Sequence, residues 1–190
     1  MKYDRIILAS QSPRRIEIMR EHGLDPEVMP ADVDEALPEG IAMEDAVMHL
    51  SLKKALSIEA AHPELAGALI IAADTVVYKD EILGKPADRA EAYHMISAIK
   101  NTSHQVATGV ALVVAGETPR RSFCNITNVF CRSYSDAEIN AYIDTDEPYD
   151  KAGGYAIQGT FGRYIDHIEG DYENVVGLPF TQMMAEIEKL

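Results

Sequence analysis

Two arginines stand where a helix would ordinarily refuse them. The stretch Ile7-Leu8-Ala9-Ser10-Gln11-Ser12-Pro13-Arg14-Arg15 runs from an apolar strand straight into a serine and a proline. Ser12 can cap a helix through its side-chain oxygen, and Pro13 in the first helical position has no N–H to leave unpaired. Arg14 and Arg15 then fall in the first turn, at the positive end of the dipole, where cations are repelled and anions are welcome. A strongly negative ligand resolves the conflict, and a phosphate chain is the simplest, since arginine grips it bidentately. Pairing of both arginines with this chain's own carboxylates is the alternative.

Further chemistry-bearing residues are spread along the chain. Asp74 interrupts the most apolar run, Ala68–Tyr78, where a carboxylate is costly unless it is paired or meets a metal. Lys54 shares a helical face with Val47, Leu50 and Ile58, so it either snorkels out along its stem or reaches an anion. Lys53 points elsewhere. The 31–40 loop carries Asp32, Asp34 and Glu35, which are either solvated loop carboxylates or metal ligands. Lys85 sits between Gly84 and Pro86 in a tight loop and is open to either a surface or a ligand role. The segment Asp150–Gly159 holds three glycines, suited to backbone that packs against a ligand.

These residues need elements to carry them. Arg5–Ser10 reads as a buried strand, Pro13 to about His22 as a helix ended by Gly23, and Glu27–Pro30 as a short strand. Residues 43–62 form the longest helix. The apolar 68–78 run is a central strand covered on both faces, and ligands bind at the ends of such strands in open α/β sheets. Lys79-Asp80-Glu81 turns the chain back, and Asp88 caps a helix reaching about Lys100. His104–Val114 and Arg121–Arg132 form a hairpin across Gly116. Ser135-Asp136-Ala137-Glu138 is a capping box. Arg163–Ile168 is the last strand, and Pro179 opens a C-terminal helix. Strands and helices alternate, so the class is α/β with a mixed sheet.

Composition narrows the function classes. The 190 residues are 47% apolar and suffice for one sizeable core or two small lobes. The net charge of −14 argues against a nucleic-acid polymer, although concentrated cations could still hold one nucleotide. No run of about 18 apolar residues exists, and the N-terminus offers no signal-peptide core, so neither a membrane nor export is expected and the reading is cytoplasmic. Cys124 and Cys131, seven apart in one strand, face opposite ways and read as unpaired thiols. There is no GxxxxGK[ST], no GxGxxG after a strand, no HxxxH and no GxSxG.

Five segments resemble, in order, the motifs of the Maf family: Ser12-Pro13-Arg14-Arg15, Ala73-Asp74-Thr75-Val76-Val77, Gly84-Lys85-Pro86, Asp150–Gly159 and Gly170–Pro179. Members of that family are nucleoside triphosphate pyrophosphatases similar in structure to inosine triphosphate pyrophosphatases. The resemblance implies one domain over 1–190, an α/β fold with an elongated mixed sheet in two lobes around a central cleft, and a homodimer. It implies hydrolysis of a nucleoside triphosphate to the monophosphate and pyrophosphate, with a divalent metal, Mg²⁺ or else Mn²⁺ or Co²⁺, held by Glu35 and Asp74. By similarity Asp74 is the proton acceptor, Glu35, Lys54 and Lys85 complete the catalytic set, and Ser10, Ser12, Arg14 and Arg15 hold phosphate. Tyr155-Ala156-Ile157-Gln158-Gly159 resembles the branch acting on dTTP and UTP, with Arg14, Thr75 and Gln158 sorting the base. Two other functions stand beside this one: the same chemistry on CTP or another nucleotide, and a nucleotide-binding regulator linked to septum formation and cell division.

Overall fold

The structure is a computed structural model describing residues 2–38, 40–118 and 120–190. Strand β1 (Ile6–Leu8) leads into helix α1 (Pro13–Glu21), and β2 (Glu27–Val28) follows. Helix α2 (Met43–Ala61) precedes β3 (Leu69–Lys79), β4 (Glu81–Leu83) and helix α3 (Arg89–Ala98). The long strands β5 (Ser103–Val114) and β6 (Arg121–Cys131) come next, then α4 (Asp136–Ile143). A series of short 3₁₀ turns leads to β7 (Ile165–Glu169), α5 (Tyr172–Val176) and α6 (Phe180–Ile187). The strands form one sheet in the order β2-β1-β3-β5-β6-β7, with β4 paired to β3. It is mixed: β1 runs parallel to β2 and β3, while β3–β4 and β6–β7 are antiparallel.

Local sequence accounts for most boundaries. Pro13 starts α1, and Gly23, at φ +77°, ends it, its N–H bonding the Arg20 carbonyl at 2.9 Å. Asp88 accepts the Glu91 N–H at 2.9 Å and caps α3. Both halves of the Ser135/Glu138 capping box are made. Ser12 differs from expectation. It occupies the N-cap position of α1 with extended backbone, yet its side chain makes no capping bond. Its own N–H is instead held by Ser10 Oγ at 3.2 Å, which fixes the strand-to-helix turn by another route.

The chain divides into two compact units. The first comprises Met1–Asp74, Thr108–Asn125 and Gly177–Leu190. Its core includes Ile7, Ile70, Ala72, Ala111 and Val113 from the strands, against Ala55 and Ile58 of α2. Small residues let α2 lie close on the sheet. An added Cβ at Gly109 would come within 2.3 Å of the Val47 carbonyl carbon, so helix backbone touches strand backbone there. Gly109→Ala is therefore expected to force α2 outward, at about 1–3 kcal/mol by the usual cost of overpacking. Thermal unfolding checks this: Tm should fall by several degrees, and an unchanged Tm would contradict so close a contact.

The second unit comprises Thr75–Ala107 and Ile126–Val176. Phe161 is fully buried at its centre, with ring centroids 5.1–5.7 Å from Tyr134, Tyr142, Tyr155 and Tyr164. His104 Nε2 lies 2.6 Å from the Tyr155 hydroxyl. Burial, with Lys79 nearby, pushes the His104 pKa down to about 3, so the imidazole is neutral and can accept that bond. Cys124 and Cys131 are both free, the former half-buried and the latter buried. Burial raises their thiols to about 11 and about 12. Among the described residues no helix is long and apolar enough to cross a membrane.

Candidate active site

The first unit gathers seven of the expected residues: Ser10, Ser12, Arg14, Arg15, Glu35, Lys54 and Asp74. Asp74 stands on β3 at 8% exposure, within a strand whose preceding five residues are all buried. Lys54 leaves the apolar face of α2 and meets it, Nζ to Oδ1, at 2.6 Å. The same ammonium is 2.7 Å from Glu35 Oε1, so one cation lies between two carboxylates. Lys54 thus reaches inward and does not snorkel to solvent. The neighbouring Lys53 donates from Nζ to the Asp34 carbonyl at 2.5 Å, and Asp34 Oδ1 accepts the Ala36 N–H at 3.0 Å. Two adjacent lysines of one helix therefore fasten the acidic loop that carries Glu35.

The arginines are held differently from one another. Arg15 is half-buried and donates from Nε to the Gly177 carbonyl at 2.8 Å and from Nη1 to Ser10 Oγ at 3.1 Å. Desolvation pulls its guanidinium below the ordinary value, Asp74 opposes that, Arg14 adds to it and Glu35 opposes it again. Arg15 is a cation throughout. Arg14 makes no hydrogen bond or ion pair among the described residues, so its charge is not spent on this unit's carboxylates. Ser10 Oγ accepts from both the Ser12 N–H and Arg15, leaving its own hydroxyl proton to donate. Fixed donors at the start of a helix, aimed by a strand end, suit a phosphate group.

Lys85, Thr75 and Gln158 belong to the second unit. Lys85 is exposed and has no hydrogen-bond or ion-pair partner among the described residues. Its loop is fixed by the Gly153 N–H, which donates to the Gly84 carbonyl at 2.9 Å. Gly153, at φ +68°, sits so close to Val77 that an added Cβ would come within 2.8 Å of that side chain. Glycine is required there for both reasons. Thr75 directly follows Asp74 on β3 and so faces the other side of the strand. Gln158 is exposed in a turn.

The sequence matches the Maf-like protein family over residues 5–190. The chain belongs to the Maf-like family. A relative named dTTP/UTP pyrophosphatase from Caldicellulosiruptor bescii is 40% identical over 98% of this chain and 94% of its own length. Another of that name, from Desulforamulus reducens, is 43% identical over 94% of this chain and 92% of its own. The Staphylococcus aureus Ham1 protein shares the fold at a TM-score of 0.50 and 13% identity, covering 98% of this Maf-like chain and 99% of that one.

Several residues of this Maf-like site escape a reading of the sequence alone. The Gly177 carbonyl that anchors Arg15 lies 162 residues away, and only its place in the Gly170–Pro179 motif marked it. Lys53 had no signal beyond being next to Lys54.

Proposed function

We propose that this protein hydrolyses dTTP and UTP to the monophosphate and pyrophosphate, with Asp74 as the base. The observation that carries the reading is the Lys54 ammonium held at 2.6 and 2.7 Å between Asp74 and Glu35, in the same unit as Arg14, Arg15 and Ser10. The names of relatives at about 40% identity over nearly the whole chain support the choice of nucleotide.

Water attacks the α-phosphorus, a P–O bond forms, and the bridging P–O bond breaks. The electron pair leaves with pyrophosphate, and Asp74 takes the water proton. Lys54, Arg15 and Lys85 neutralise the charge growing on the leaving group, while Ser10, Ser12 and Arg14 hold phosphate. Cations that act on charge present only in the transition state raise kcat and do more than tighten binding.

The donor set suits a hard divalent ion. Glu35 and Asp74 offer oxygens only, and among the described residues no group of three or more His, Cys, Asp or Glu could hold an ion unaided. Mg²⁺ is characteristically bound through one or two carboxylates together with substrate phosphates and water. Such an ion on Glu35 and Asp74 would polarise phosphate oxygens and offset their charge. The protein's own trio of Lys54, Glu35 and Asp74 carries one net negative charge, which leaves room for a dication.

Thr75, Arg14 and Gln158 sort the base. A glutamine amide can donate to a carbonyl of uracil or thymine and accept from its ring N3–H. A glutamate only accepts and would face a carbonyl with a repelling anion. Gln158→Glu is expected to lower kcat/KM on UTP and dTTP by about 5- to 150-fold, the cost of an unmatched polar pair. A base presenting two N–H groups, as guanine does, should suffer less. Ratios between nucleotides on one protein cancel any general loss of folding. Equal losses on every nucleotide would mean that Gln158 reads nothing.

Incubation with a panel of triphosphates and Mg²⁺, with chromatography of the products, tests the whole reading. UMP and TMP with pyrophosphate are expected. Another nucleotide turned over faster would move the substrate, and binding without any product would favour the regulator.

A further inference from the structure

One carboxylate beside the glycine-rich segment has no part in this chemistry. Glu147 opens the 3₁₀ turn Glu147–Asp150, and its side chain reaches forward under the later turn at 156–161. Its Oε2 accepts from the Thr160 N–H at 3.1 Å and the Thr160 hydroxyl at 2.6 Å. Its Oε1 accepts from the Phe161 N–H at 3.5 Å and shares the Tyr142 hydroxyl proton, at 3.3 Å, with the Gly154 carbonyl at 3.0 Å. Every partner donates, so the position calls for a group that only accepts. Desolvation pushes the Glu147 carboxyl up, but the hydrogen bonds from Thr160, Phe161 and Tyr142 outweigh it and hold it below its ordinary value.

The turn is shaped around this carboxylate. An added Cβ at Gly159 would come within 2.2 Å of Glu147 Oε1, so a side chain there would push the carboxylate out of this seat. An added Cβ at Gly162 would come within 2.4 Å of the Ile157 carbonyl oxygen, so the chain also folds tightly on itself. The Gly159 N–H closes on the Ala156 carbonyl, and the Gly162 N–H on Gly159, both at 3.1 Å. Downstream, Phe161 is locked into the aromatic core. Gln158 lies exposed between the buried Ala156 and the buried Phe161.

Resting on the reading that Gln158 selects the base, we infer that Glu147 is a specificity-positioning residue, holding the 156–161 turn in the shape that presents the Gln158 amide to the nucleobase. An amide discriminates only when its donor and acceptor are aimed, and such sites need supporting groups that fix them to within about 0.5 Å. Glu147 supplies that support from outside the site, touching neither substrate nor reacting atoms.

The test is the ratio of kcat/KM on UTP to that on GTP, with Mg²⁺, together with amide hydrogen exchange at Thr160 and Phe161. Glu147→Ala should speed exchange at those two amides and narrow the ratio by roughly tenfold, within the range for an unmatched hydrogen-bonding group. Glu147→Gln, which keeps one oxygen for Thr160, should fall between, and it carries the test if the alanine variant folds poorly. In a Gln158→Ala background, Glu147→Gln should narrow the ratio no further, because coupled residues do not add. Unchanged exchange in Glu147→Gln would overturn the anchoring. Faster exchange with an unchanged ratio, while Gln158→Ala alone narrows it, would overturn the link from Glu147 to specificity. An unchanged ratio in Gln158→Ala itself would remove base reading by Gln158, and this inference with it.

Discussion

Asp74→Asn is expected to lower kcat on UTP and dTTP by at least about 100-fold, since general base catalysis contributes about 10²–10⁴-fold. The change keeps the side chain's size and leaves an oxygen to accept from Lys54, whose Nζ lies 2.6 Å from the carboxylate. What it removes is the basic lone pair that takes the proton of the attacking water. KM should rise as well, because Asp74 is one of the two carboxylates proposed to hold the Mg²⁺ that meets the substrate phosphates, so the loss of the base is read from kcat at saturating substrate and Mg²⁺. The variant's fold should survive, as the position remains polar and paired. Circular dichroism and Tm would verify that, and steady-state pyrophosphate release would give the rate. Turnover near the wild-type rate would remove Asp74 as the base.

Lys54→Met is expected to lower kcat by about 10²–10³-fold, the usual effect of removing one group that stabilises charge in the transition state. Methionine keeps the length and apolar stem but deletes the ammonium. Lys54 and Asp74 are 13% and 12% exposed in their side chains, so the pair is largely shielded from solvent. Breaking a buried pair by removing one partner typically costs about 3–5 kcal/mol, and Tm should fall. Glu35, at 59% exposed, can turn to water and adds little to that cost. The catalytic and structural effects separate when kcat is measured well below the new Tm. Lys54→Arg, which restores the charge with a different shape, should recover part of the stability and less of the rate. A raised KM with kcat unchanged would mean that Lys54 merely binds substrate and its transition state equally.

How far the sequence discloses these features depends on how local their causes are. The Asp88 cap and the Ser135/Glu138 box are set within four residues, so their residue types announce them. The 68–78 run is legible because a fully buried strand needs continuous apolar side chains, and Asp74 is legible because it breaks that run. Ser12 is a counter-example. Its type and place announce a cap, but Ser10 two residues earlier takes its N–H, and the side chain makes no capping bond. Periodicity puts Lys54 on an apolar face without saying what it meets. Its partners lie 20 residues ahead and 19 behind, brought in by the sheet and by a loop without periodic structure. Glu147 is less visible still, because most of its donors belong to a turn 13 residues later, which it approaches closely only because Gly159 has no side chain. The five-residue helix α5 is too short for a helical period to register.

Hydrolysis of UTP in ¹⁸O-labelled water, with mass spectrometry of the products, tests the central claim most directly. Attack on the α-phosphorus with pyrophosphate as the leaving group places one labelled oxygen in UMP and none in pyrophosphate, and Asp74→Asn should nearly abolish both products. Label in pyrophosphate, or release of UDP with inorganic phosphate, would contradict the account.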